Sequence, residues 1–109
     1  MNIQAAELSR TTIYDEDGFL VDMDLWSRHT ALQIAREEGV EHLSELHWRI
    51  IDNVRTRYLE LGGLPLMRRV CKDTNLEKAT IKRIFGGCRQ IWRIAGLPNP
   101  GQEALAYMG

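Results

Sequence analysis

Ser44-Glu45-Leu46-His47-Trp48-Arg49-Ile50-Ile51-Asp52-Asn53-Val54-Arg55-Thr56-Arg57-Tyr58-Leu59-Glu60-Leu61-Gly62-Gly63 is the stretch on which the fold turns. Leu46, Ile50, Ile51, Val54, Tyr58 and Leu61 recur at helical intervals, which aligns them along one side of an α-helix and does not fit the two-residue alternation of a strand. The Ser44 hydroxyl can accept an otherwise unpaired backbone N–H at the helix start, and Gly62-Gly63 ends the run. Arg49, Asp52, Asn53, Arg57 and Glu60 fall largely off the stripe, so a solvated outer face is expected for them.

Upstream, Ala31, Leu32, Ile34 and Ala35 predict a helix from about Leu25 to Glu38, stopped at Gly39. Before it, Thr11-Thr12-Ile13-Tyr14 and Phe19-Leu20-Val21 flank the turn Asp17-Gly18, which predicts an N-terminal β-hairpin. A hairpin alone is too little sheet to persist in water, so Ile13, Phe19 or Val21 is expected to pack on the helices.

Downstream, Pro65 suits the first turn of a helix that continues to about Lys72, because its missing N–H would have no partner there. Asp73-Thr74-Asn75 then breaks the pattern, and Thr74 with Glu77 reads as a capping box for a helix through Leu76, Thr80, Ile84 and Phe85, stopped by Gly86-Gly87. A short helix is predicted from about Arg89 to Ala95. Gly96-Leu97-Pro98-Asn99-Pro100-Gly101 cannot continue it. The expected architecture is mainly α: a small helical domain over 1–100 with a helix-turn-helix-like core and an N-terminal β-hairpin, and a flexible C-terminal arm over 101–109.

A chain of 109 residues with 44% hydrophobic and 27% charged residues fits one ordinary globular domain. No stretch has the form of a signal peptide or approaches the apolar length of a membrane span, so a cytoplasmic location is expected and no membrane partner. Cys71 and Cys88 are too few to staple a secreted scaffold. Residues 1–64 hold 12 acidic and 6 basic side chains, against 3 and 8 in 65–109, a polarity that either marks a face for an anionic partner or is neutralised on folding.

No residue pattern supplies an active site. His29, His42 and His47 form no i, i+4 pair and no Cys/His cluster has ligand spacing, so no metal is expected. Gly62-Gly63 and Gly86-Gly87 are helix stops rather than a phosphate loop, no serine has nucleophile-elbow context, and no cofactor is expected. His47-Trp48 is expected to pack against the hairpin, with the imidazole making a polar contact.

The order of these elements resembles the DsrC/TusE family of small sulfur-relay proteins, which includes the gamma-subunit type of dissimilatory sulfite reductase. Asp15-Glu16-Asp17-Gly18-Phe19-Leu20 is similar to the family's opening hairpin, and Trp26, Ala31 and Ile34-Ala35 to its first helix. Leu43-Ser44, His47-Trp48, Val54-Arg55 and Tyr58 resemble its long second helix. The resemblance continues through Pro65 and Arg68 to Arg93-Ile94-Ala95-Gly96-Leu97-Pro98-Asn99-Pro100, the most specific block. It implies a helical fold and an arm that swings into partner proteins of sulfur metabolism, such as sulfite reductase or sulfur-transfer subunits.

Family members carry sulfur on a cysteine near the arm's end, and many have a second cysteine eleven positions earlier. Carried onto this chain, those places fall at Glu103 and Trp92, and neither side chain can accept a persulfide or exchange a disulfide. The resemblance therefore implies an accessory or regulatory, partner-binding homologue without the carrier cysteine. Relay through Cys88, read as lying in a loop beside Arg89, is the alternative, and Cys71 is expected in the core.

A third reading is a DNA-binding regulator. Arg68, Arg69, Lys72, Lys78, Lys82, Arg83, Arg89 and Arg93 lie on or beside two helices joined by a short polar turn, as in a helix-turn-helix, and Lys78, Lys82 and Arg83 would then reach phosphates or bases. Protein docking on the same cations is the preferred expectation, because the resemblance implies partners that dock against this type of surface, and the acidity of the chain as a whole disfavours DNA.

Overall fold

A computed structural model describes residues 13–63 and 66–107, the last by its backbone alone. The long stretch is helical as read: α2 spans Glu45–Leu61 and buries Ile50, Ile51 and Val54. Ser44 caps it by accepting the His47 N–H, and the His47 ring reciprocates by accepting the Ser44 N–H, a capping box with histidine in the place usual for glutamate.

The first helix, α1, is shorter than expected at Arg28–Glu37. Ser27 caps it, and Met23–Leu25 upstream forms a separate 3₁₀ turn capped by Asp22. Downstream lie α3 (Met67–Thr74), α4 (Lys78–Phe85), α5 (Cys88–Ile94) and α6 (Gln102–Tyr107). Pro65 falls outside the described residues.

The capping box read at Thr74 and Glu77 does not form. Helix α3 continues through Thr74, whose buried hydroxyl donates to the Val70 carbonyl at 2.7 Å, while α4 starts without a side-chain cap. Asn75, in left-handed conformation, ends α3 instead.

The expected hairpin is also not built as paired strands. Among the described residues there is one antiparallel bridge, Tyr14 to Leu20, and Thr11-Thr12 lie outside them. The turn is closed by backbone bonds, from the Asp15 N–H to the Phe19 carbonyl at 2.8 Å and from the Val21 N–H to the Ile13 carbonyl at 2.9 Å, and the Asp15 carboxylate tightens it by accepting the N–H groups of both Asp17 and Phe19 at 2.9 Å. That loop still delivers Phe19 to the core with no exposure, whereas Val21 stays half exposed.

Helix α5 is the hub of the packing. It contacts α1, α2 and α4, while α2 packs on α3 and α3 on α4. Ile91, Trp92 and Ile94 of α5 join Phe19, Ala31, Ile34, Ala35, Ile50, Ile51, Val54, Val70, Ile81, Phe85 and Leu97 in one core. Burying each of the larger aliphatic or aromatic side chains contributes on the order of 1.5–3 kcal/mol.

The outer face expected for α2 is only partly solvated. Arg57 donates to both carboxylate oxygens of Asp73 at 2.6 and 2.9 Å, Asn53 donates to the same group at 3.1 Å, and Arg49 reaches the Thr74 carbonyl at 3.3 Å. These bonds fasten α2 to the end of α3.

Candidate functional site

The segment after α5 turns back on itself around one aromatic side chain. Trp26 Nε1 donates to the Ile94 carbonyl at 2.9 Å, and a Cβ placed on Gly96 would fall 2.2 Å from Trp26 Cδ1. Gly96 also has φ of 72°, so both space and backbone conformation select glycine there. Arg55 of α2 covers the other side, its guanidinium 3.8 Å from the Trp26 ring centre and donating to the Ala95 carbonyl at 2.7 Å. Leu97, wholly buried, anchors the chain as it leaves the helix.

After Leu97, Pro98 and Pro100 have no N–H, which leaves Asn99 as the stretch's donor. Its Nδ2 donates to Asp15 at 3.0 Å and to Asp17 at 2.8 Å, while its Oδ1 accepts the Gly101 N–H at 2.8 Å. Gln102 adds a bond to Asp17 at 3.2 Å. The root of the C-terminal segment is thus clasped by the N-terminal loop, and α6 begins immediately after it. Leu105 of α6 packs against the core, whereas Glu103 is exposed.

The loop is held from beneath by α5. Arg93 donates to the Gly18 carbonyl at 2.8 Å, to Glu37 at 3.0 Å and to Glu38. Burial alone would lower the Arg93 guanidinium, but the bonds to Glu38 and Glu37 outweigh it and hold it above its ordinary value. Arg89 donates to the Asp17 carbonyl at 3.0 Å.

Of the eight cations singled out in the sequence, the structure therefore directs Arg89 and Arg93 to the loop. Arg68, Arg69, Lys72, Lys78, Lys82 and Arg83 are exposed. It brings three of them together: Arg68, Arg69 and Lys72, with Leu66, line an open depression of about 390 Å³ on α3. Lys78, Lys82 and Arg83 lie on α4.

Cys88 opens α5 rather than lying in a loop, and it is half-buried. Burial pushes its thiol up, against the opposing pull of Lys78 and Lys82. Cys71, also partly buried, packs against the core from α3. Trp92 is 3% exposed and fills the centre of the fold.

His47 does not face the N-terminal loop. Because its Nδ1 accepts the Ser44 N–H at 3.0 Å, the ring proton resides on Nε2, which donates to the Ile84 carbonyl at 2.9 Å. The ring meets Phe85 edge-on at 4.8 Å. Trp48 lies instead against Arg28 of α1, whose guanidinium is 4.3 Å from the ring centre. Among the described residues no cluster of three or more His, Cys, Asp or Glu could hold a metal, and no helix is long and apolar enough to cross a membrane.

Sequence reasoning did not single out Asn99, Asp15, Asp17 and Arg55 as site residues. A signal for the first was present: an amide between two prolines is the available donor in a segment that must still be held. Arg55 and the two aspartates gave none, because each partner is distant in sequence.

A family model described as "DsrC like protein" matches residues 8–102. Sulfurtransferase TusE of Sodalis glossinidius is 37% identical over 95 residues, covering 79% of this chain and 87% of that one. The gamma subunit of dissimilatory-type sulfite reductase from Nitratidesulfovibrio vulgaris is 32% identical over 88 residues, covering 79% and 84%. Among solved structures, the oxidized gamma-subunit (DsrC) of dissimilatory sulfite reductase from Archaeoglobus fulgidus superposes with a TM-score of 0.70 at 32% identity, covering 80% of this chain and 87% of that one.

Proposed function

The chain belongs to the family of DsrC-like proteins, and on that premise we propose that it is an accessory or regulatory component of sulfur metabolism that binds a protein partner without carrying persulfide sulfur on its arm. Its partners would be sulfite reductase or sulfur-transfer subunits, the proteins after which its relatives are named. The family's carrier positions, transferred by resemblance, hold Glu103 and Trp92, and neither supplies a thiolate.

The observation that carries this reading is the setting of Cys88. A relay thiol needs to be accessible and largely ionised. Cys88 is half-buried within the body of the fold, before the arm, and burial pushes its thiol up. The clasp of Asn99 by Asp15 and Asp17 supports the same view, because it holds the arm's root on the side of α5 marked by Arg89 and Arg93.

The test is to offer the purified chain a persulfide donor, weigh it intact, and then present a thiol acceptor. The expected result is no transferable sulfur. An adduct on Cys88 that passes to the acceptor would establish relay through that residue and overturn the non-carrier reading. Co-purification from a sulfur-metabolising cell is expected to recover sulfite reductase or sulfur-transfer subunits, and recovery of unrelated proteins alone would count against the pathway.

A further inference from the structure

Leu66 is 67% exposed at the start of α3, and Leu61 is 65% exposed at the end of α2. A partner that covers such a side chain gains by removing its apolar surface from water. Arg68, Arg69 and Lys72 surround Leu66 in the depression on α3, and among the described residues no carboxylate lines it. Arg68 and Lys72 are four residues apart and so share a side of the helix.

Among the described residues, none of these three cations has a hydrogen-bonded or ion-paired partner. The one acidic side chain on α3, Asp73, is already bonded to Arg57 and Asn53, and Arg69 senses it only through space. Leu66, at the N-cap of α3, also supplies no side-chain cap to the first turn.

Resting on the partner-binding reading above, we propose that this depression is the seat for an acidic amphipathic segment of the partner protein, with an apolar side chain set against Leu66 and carboxylates on Arg68, Arg69 and Lys72. Charge complementarity fixes the sign of the occupant and Leu66 its amphipathic character. A nucleic-acid backbone would satisfy the cations but leave Leu66 in water, and among the described residues the lining has no aromatic ring on which a base could stack. An acidic segment with apolar residues at helical spacing uses both halves of the site.

The probe is a short synthetic peptide of glutamates with leucines at helical spacing, titrated into the full isotope-labelled chain while backbone amide shifts are followed. Shifts centred on residues 66–72 are expected. Leu66→Ser and the pair Arg68→Glu with Lys72→Glu are each expected to weaken binding about tenfold, at unchanged melting temperature because all three side chains are exposed.

Shifts centred on Lys78, Lys82 and Arg83 would overturn the assignment, as would equal binding of a leucine-free peptide or tighter binding of duplex DNA at 66–72. Absence of binding would also overturn it. Partners that co-purify unchanged with Leu66→Ser would remove this seat and leave the sulfur-metabolism reading standing, whereas loss of pathway partners from the unaltered chain would strike that reading itself.

Discussion

Gly96 and Trp26 are in contact so close that no side chain fits between them: a Cβ on Gly96 would lie 2.2 Å from Cδ1 of the indole. The indole cannot retreat, because its Nε1 is bonded to the Ile94 carbonyl and Arg55 lies over its face. Gly96→Ala is expected to lower unfolding free energy by about 2–4 kcal/mol, the sum of overpacking and left-handed backbone strain. Gly39→Ala provides the control, since φ there is 85° but a Cβ meets open space. It is expected to cost only about 1–2 kcal/mol, and urea titration of the two variants isolates the clash.

Arg93 joins three separate parts of the chain, and its side chain is only 11% exposed. Arg93→Met leaves the Glu38 carboxylate and the Gly18 carbonyl without their donor, at an expected loss of about 2–4 kcal/mol. Arg93→Lys is expected to recover less than half, because an ammonium cannot reproduce the forked geometry. Chemical denaturation of both variants measures this.

Asp73 is held at about 2, first by the hydrogen bond from Arg57 and then by that from Asn53. Its folded value lies below that of an unfolded carboxylate, near 3.9. Its contribution is therefore fully present above about pH 4 and is lost as pH falls through about 2. Asp73→Asn is expected to melt at a temperature less dependent on pH across that window than the unaltered chain, as calorimetry at stepped pH would record.

Asn99→Leu keeps the size of the side chain and removes the donor shared by Asp15 and Asp17. Loss of the clasp is expected to raise amide hydrogen exchange over residues 101–107 by roughly five- to tenfold, equivalent to about one net hydrogen bond. Exchange in α2 is expected to remain unchanged.

Cys88 is expected to react with iodoacetamide more slowly than a free thiol at neutral pH, since burial raises its pKa and so reduces the thiolate fraction. The rate should still be climbing at pH values where a free cysteine has levelled off. A Cys71→Ala background assigns the reaction to Cys88, and mass spectrometry tracks its progress.

The long helix was legible because Ile50, Ile51 and Val54 are at once periodic in sequence and buried in space, and because Ser44 signals its start locally. Thr74 misled because its hydroxyl had two possible partners of similar strength, the next helix's N–H or its own helix's Val70 carbonyl, and burial decided for the second. At Asp15 the pairing is short, one bridge between Tyr14 and Leu20 with its flanking backbone bonds, and the carboxylate adds the two N–H bonds that tighten the turn. At the candidate site, the cations of α3 could be found by composition. The engagement of Arg89 and Arg93 with the N-terminal loop could not, because it depends on residues more than seventy positions away, as the separations of 72 and 75 show.

The imidazole of His47 has a consequence for how the molecule opens. One ring spans 37 positions of chain, anchoring the first turn of α2 through Nδ1 and the last turn of α4 through Nε2. Fraying at the start of α2 removes the donor of the Ile84 carbonyl, so the end of α4 depends on the integrity of a helix start far away in sequence.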